Sequence, residues 1–239
     1  MKDIMNDILS AAGAEVSIIP VVQGEGMMKI DQSQLPDSLP ILALRNAVLF
    51  PGTVFPITIG REKSMRLIED AERTNSFIGA VPQNDLSVEE PRKEDLYPYG
   101  TVAKIVKTLE MPDGTITAIL QGFKHFEVES VFDYEPYMLG RVRYLEDVVP
   151  EDDPKIRVIA DTLKEKATSI IRSSSFVPRE AVGALKGIDS FEFLVNFIAT
   201  TIEVENYMDK VELLQYADLR ARAMKLLSVH DTQVELQTI

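Results

Sequence analysis

Few residues in this 239-residue sequence are of the types that carry out covalent chemistry. It has two histidines, His125 and His230, and no cysteine. That composition rules out a thiolate nucleophile, a disulfide framework and a cysteine-based metal site. His125 precedes Phe126 at a strand start and reads as an ordinary half-exposed residue, while His230 lies too far along the chain to join it. The acid pairs Glu89-Glu90 and Asp152-Asp153 could act as acid and base or hold calcium. Both sit in proline-bounded polar segments, however, where adjacent carboxylates face solvent. Gly24-Glu25-Gly26 begins like a dinucleotide loop, but Lys29 stands where the third glycine belongs and no strand-to-helix switch surrounds it. Neither a Gly-x-x-x-x-Gly-Lys-[Ser/Thr] phosphate loop nor a Gly-x-Ser-x-Gly elbow occurs. Nothing marks a serine–lysine dyad. No catalytic, cofactor-binding or metal-ligating residue is expected, and the chain reads as one that binds.

Charge narrows what it binds. The formal net charge is -13 with a pI near 4.7, which repels phosphate backbones. A nucleic-acid partner would need a basic, aromatic-bearing strand face to overcome that field. Hydrophobic residues make up 45% of the sequence, but no eighteen-residue apolar run exists, and Asp3 and Asp7 interrupt any signal-peptide core after Lys2. The expected location is the cytoplasm, without a membrane partner.

The elements follow from periodicity. Residues 1–37 read as an extension, partly disordered. Ile4, Ile8 and Leu9 could form a helical turn or two there and Val16 to Val22 a strand. From Leu39 to Gly60, two apolar runs flank the Pro51-Gly52 turn, each the length of a buried strand. Pro40 and Pro56 lack a ladder donor and belong at strand starts, edges or bulges. Met65, Ile68 and Ala71 then put one apolar face on a helix from about Glu62 to Thr74. Phe77 to Val81 reads as a third strand, and Gln83 to Leu96 as a long, solvated, mobile loop. Gly100 to Leu109 and Thr115 to Gln121 flank Met111-Pro112-Asp113-Gly114, the clearest hairpin turn in the chain. Gly122 is expected to bend the chain before Phe126 to Glu129, and Tyr137 to Leu145 forms another strand. After the acidic, proline-punctuated stretch from Glu146 to Pro154 the period turns helical. Ile156, Ile159, Leu163, Ala167 and Ile170 line one face of a first helix, and a second runs from Pro178 to Lys186. A third follows a cap at Asp189 or Ser190; two more stripes run through Val204 to Leu214 and Leu219 to Leu227.

Several of these motifs occur together in one known family. Pro40-Ile41 with Leu44-Arg45, then Phe50-Pro51-Gly52, then Gly60-Arg61 with Ser64 resemble, in order and spacing, the start of the N-terminal region of the ATP-dependent Lon proteases. Tyr99 to Ala103, the Pro-Asp-Gly turn and Gln121-Gly122 extend the resemblance, as does the helix order, so that it covers Leu39 to the end. The resemblance implies an α+β fold: a small antiparallel PUA-like pseudo-β-barrel with one helix over residues 38–147, then an α-helical bundle over 148–239. It also implies a non-catalytic substrate-recognition and assembly module. Its partners would be unfolded or degron-bearing protein clients and further copies of itself in a hexamer. The ATPase motor, with its ATP and Mg, and the Ser-Lys protease would lie in domains beyond this stretch. Alternatives are a stand-alone Lon-like adaptor ending near Ile239, or a PUA-like RNA-binding protein.

Unfolded clients expose apolar side chains, so a reader of them should expose apolar side chains too. The candidates are Phe50, Pro51, Val54 and Phe55 in the first turn, and Met111 and Pro112 at the hairpin tip. Met is the adaptable choice for promiscuous contact. The competing expectation is that Phe50, Val54 and Phe55 close the barrel.

Overall fold

The fold was analysed in a computed structural model that describes residues 32–173, 180–202, 204 and 206–237. The expected early helix and strand of residues 1–31, with Gly24-Glu25-Gly26, lie outside that range, as do Ser174, Ser175 and Pro178. Six strands come first: β1 Ser38–Leu44, β2 Val54–Ile59, β3 Ile78–Pro82, β4 Tyr99–Glu110, β5 Ile116–Asp133 and β6 Leu139–Tyr144. Helix α1, Glu62–Thr74, lies between β2 and β3. The helices α2 Pro154–Ser173, α3 Glu180–Lys186, α4 Phe191–Thr201, α5 Tyr207–Val211 and α6 Leu219–Gln237 follow.

The sheet order is β2-β5-β4-β3-β1-β6, and β6 also pairs with β5. Five strands thus close on themselves, leaving β2 with β5 as its one neighbour among the described residues. The expected all-antiparallel sheet is corrected at one place: β1 and β3 run parallel, Ile41 facing Gly79 and Leu44 facing Pro82. The path between them crosses over through α1, as a parallel pair requires. Gly122 does not end a strand either. β5 runs on for 18 residues, and Phe123 is the extra residue of a bulge between the pairs Val102–Lys124 and Ala103–Gly122. Gly122 is needed because the first turn packs on it: a Cβ there would lie 2.7 Å from the Phe50 carbonyl oxygen.

Two apolar clusters fill the sheet part, one including Leu42, Phe55, Leu67 and Leu120, the other Leu39, Ile41, Val102 and Phe126. A third gathers α2, α4 and α6 through Leu163, Leu194, Phe197, Ala223 and Leu226. Val48 and Phe50 belong to this helical cluster rather than to either sheet cluster. The run from Leu39 to Phe50 is therefore not one strand. β1 stops at Leu44, Asn46 takes φ 52°, and Val48 to Phe50 descend as irregular but buried chain. Ser190 caps α4, its Oγ accepting from Phe193 N at 3.2 Å, and Asp153 Oδ1 accepts from Lys155 N and Ile156 N at the start of α2. The stripe expected from Val204 to Leu214 divides into α5 and a 3-10 turn, Glu212–Gln215.

Candidate functional site

The two groups of candidate apolar residues part company. Phe50 is 0% exposed, Val54 and Phe55 are 4% and 5% exposed, and Pro51 is buried, so the first turn offers no apolar surface. Phe55 does pack inside the sheet, but Phe50 packs into the helices. At the hairpin tip Met111 is half-buried and Pro112 exposed. Met111 N donates to Thr115 O at 2.9 Å and Gly114 N to Met111 O at 3.0 Å. Asp113 Oδ1 accepts from Thr115 N and Oγ1 at 3.0 and 2.7 Å, which holds the Asp113 carboxyl below its ordinary range. Gly114 supplies the positive φ, 84°. A second bulge residue of the arm, Val106, is 44% exposed, and Phe132, the extra residue between the pairs Val131–Gly140 and Asp133–Leu139, is 59% exposed. Sequence alternation gave no warning of either, because a bulge reverses the face that alternation assigns.

His125 is corrected outright. It is 0% exposed, and its Nδ1 stands 3.0 Å from Asp147 Oδ1, off the line of a hydrogen bond. The same carboxylate oxygen accepts from Arg222 Nη2 at 3.1 Å. Arg222, itself 0% exposed, donates to Asn196 Oδ1 at 2.7 Å and to the Tyr216 carbonyl at 3.0 and 2.6 Å. Burial pulls the guanidinium pKa down while Asp147 pushes it back up. This cluster joins β5, the chain after β6, α4 and α6. His230 falls within α6. Among the described residues no group of three or more His, Asp or Glu could hold a metal ion.

One concave feature among the described residues is a cleft of about 460 Å³. Its floor is Ile41 and Ala43 of β1 with Leu67 of α1; its walls are the start of α1, the loop Glu89 to Arg92, and the β5–β6 connection from Tyr134 to Met138. The loop expected to be loose is tied down here. Arg45 Nη2 donates to Val88 O and contacts Glu89 Oε1, both at 2.9 Å, and Gln83 Nε2 donates to Asp85 O and Val88 O. Arg61 donates to Gln83 Oε1 at 2.6 Å and to the Ala43 carbonyl, and burial, then neighbouring Arg45, lowers its pKa. Lys63 pairs with Glu135 and lies 3.7 Å from Glu90. Arg92 sits 5.2 Å over the Tyr134 ring. Of the two acid pairs, then, Glu89-Glu90 serves ion pairs. Asp152 pairs with Arg157 at 2.7 Å while Asp153 caps α2.

Residues 38–230 match the family model described as the ATP-dependent protease La (LON) substrate-binding domain. The chain belongs to this family. The Lon protease of Flavobacterium johnsoniae is 41% identical over 227 residues, covering 95% of this chain and 27% of that protein. For the Lon protease of Cytophaga hutchinsonii the identity is 37% over 225 residues, covering 94% and 28%. The chain thus spans little more than a quarter of the length of these relatives. The stretch that matches is their substrate-binding domain, not a protease domain. The N-terminal domain of the Mycobacterium avium complex Lon protease superposes with a TM-score of 0.64 at 17% identity, over 81% of this chain and 98% of that one. The Lon N-terminal domain protein from Xanthomonas campestris gives 0.57 at 21%, over 80% and 97%. These likenesses support a mixed α+β fold of the Lon N-terminal type. Among the described residues, no helix is long and apolar enough to cross a membrane.

Proposed function

We propose that this chain is the client-engaging and assembly module of a cytoplasmic Lon-type ATP-dependent protease. It holds unfolded or degron-bearing chains while a separate motor, using ATP and Mg, and a separate Ser-Lys protease complete the work. The observation that carries this reading is the family match across residues 38–230. The half-buried Met111 and exposed Pro112 at the end of a long projecting hairpin support it. In the finer reading, the closed five-strand ring is a PUA-like barrel, its unit ends near Asp147, and the helices after it form a bundle leading toward the motor. Several copies joined in a hexamer would add avidity to a contact that one copy makes weakly. One apolar tip contributes modest affinity, in the micromolar range or weaker, once ordering costs are subtracted.

The test is client binding by Met111→Asp. A turn tip tolerates charge without unfolding the sheet, so the variant should keep its melting temperature and lose affinity for an unfolded client in titration. Unchanged affinity would remove the tip from the site. An RNA-binding role is the rival from another class. Its best support is Lys104, 4.7 Å over the Phe77 ring beside Phe123, but Lys124 nearby is paired with Glu146. Micromolar RNA binding with a steep salt slope would favour it over client capture.

A further inference from the structure

The cleft beside α1 has a feature that neither its charge nor its apolar floor explains. Strand β1 loses one of its neighbours there. Along β1 the odd-numbered residues face β6. Ile41 N donates to Met138 O at 2.8 Å, and Leu39 opposes Gly140. The even-numbered residues face β3, where Gln83 N donates to Leu44 O at 2.9 Å. Ala43 is the next odd residue, and the position of the β6 course opposite it would be Pro136. Proline has no N–H to give the Ala43 carbonyl. The chain turns away instead, and Arg61 caps that carbonyl from the side. The N–H of Ala43 points into the same space and finds no protein acceptor among the described residues. Ala43 lines the cleft, so this donor is open to an acceptor that enters it.

An orphan main-chain donor at the vacated end of a strand partner matches a peptide carbonyl, because a peptide strand is what the sheet geometry lacks at that point. The walls fit the rest of an extended segment. Pro91, Tyr134, Tyr137 and Met138 line it, giving apolar contact for a side chain. Around them the lining sets Arg61, Lys63, Arg66 and Arg92 against Glu62, Glu89, Glu90 and Glu135, four of each sign. A rim balanced in this way neither attracts nor repels a charged ligand, which favours an uncharged, apolar-bearing stretch of chain over a free anion.

We propose that this cleft receives an extended segment of a client polypeptide. One main-chain carbonyl of the segment accepts from Ala43 N–H, and an apolar side chain lies against Tyr134. The inference rests on the client-capture reading and adds a place and a mode to it: main-chain recognition in the cleft, distinct from side-chain contact at the hairpin tip.

Amide spectra of the ¹⁵N-labelled chain, titrated with the end-blocked peptide Gly-Ser-Leu-Phe-Leu-Ser-Gly, test it without mutation. The Ala43 amide proton should move downfield and exchange more slowly with solvent, with the amides of Lys63, Tyr134 and Met138 shifting at the same midpoint. Tyr134→Ala should weaken that midpoint at least fivefold while the melting temperature holds. If only Met111 and Gly114 shift, the cleft inference is overturned and client capture stands. If no amide shifts at any soluble peptide concentration, both fall. Full-strength binding by Tyr134→Ala also overturns the cleft. A midpoint that weakens steeply with added salt overturns main-chain recognition in favour of a charge-driven contact.

Discussion

At Arg222 a guanidinium has been carried wholly out of water, and its partners are a carboxylate, an amide oxygen and a main-chain carbonyl. Burying such a charge is costly, and removing one partner from a buried pair costs more than replacing both with apolar groups. Arg222→Met leaves Asp147 facing His125 in an apolar setting, so we expect a loss of about 3–5 kcal/mol in urea unfolding. Adding Asp147→Leu should recover most of it. A single variant no worse than the double would show that the pair is only a contact. Surface carboxylates act differently. Asp113, bonded first by the Thr115 side chain, and Asp153, bonded first by the Ile156 N–H, both have pKa values lowered from 3.8. A lowered folded-state value means that their stabilisation is complete above 3.8 and lost as pH falls through the folded value. The share of stability that these two carboxylates supply should therefore be constant from neutral pH down to 3.8 and fall below it. In Asp113→Asn and Asp153→Asn variants that acid limb should be shallower.

At the level of elements, what could be read from sequence was what is fixed locally. The Pro-Asp-Gly turn closes through bonds spanning two to four residues, from Asp113 and Met111 to Thr115, and its chemistry is visible in the four letters. Glu62 to Thr74 matches the helix observed, because its apolar period and its acid and base at the two ends all agree. Asp147 with Arg222 was not legible, since the partners are 75 residues apart and each looks like one more surface charge. Phe50 was half legible: its burial follows from its type, but a sequence does not say which core an irregular segment enters. Phe50→Ala should cost about 3–5 kcal/mol. Because its ring lies among helical residues, the amides of α4 and α6 should lose exchange protection before those of β4. Equal loss in β4 would place Phe50 with the sheet.

For the molecule as a whole, the connections between sheet and helices decide whether it behaves as one unit or two. Val48 and Phe50 enter the helical cluster, and Tyr207 Oη donates to the Ala47 carbonyl at 3.2 Å. Val148 N donates to Ala217 O at 2.8 Å, and Leu219 N to Val148 O at 3.1 Å. The Asp147 cluster adds a charged tie. Links of this kind hold the two parts together up to global unfolding, so heat should unfold them in one transition, with near-ultraviolet and far-ultraviolet circular dichroism superimposing. Two resolved transitions would mean that these ties are weaker than either core.

Strand β2, with a neighbour on one side only among the described residues, matters most where copies crowd together. Pro56 opposes Ile119 within it, and lacking an N–H it can sit only where the ladder asks nothing of it, so its ring faces the free side of the strand. Along that side the row of donors is interrupted in the middle. A neighbouring molecule arriving edge to edge would find its carbonyl met by a ring in place of a hydrogen. Proteins that handle unfolded chains keep company with strand-hungry polymers by trade. Here a single imino acid in a six-residue strand breaks the edge along which the sheet could otherwise be extended.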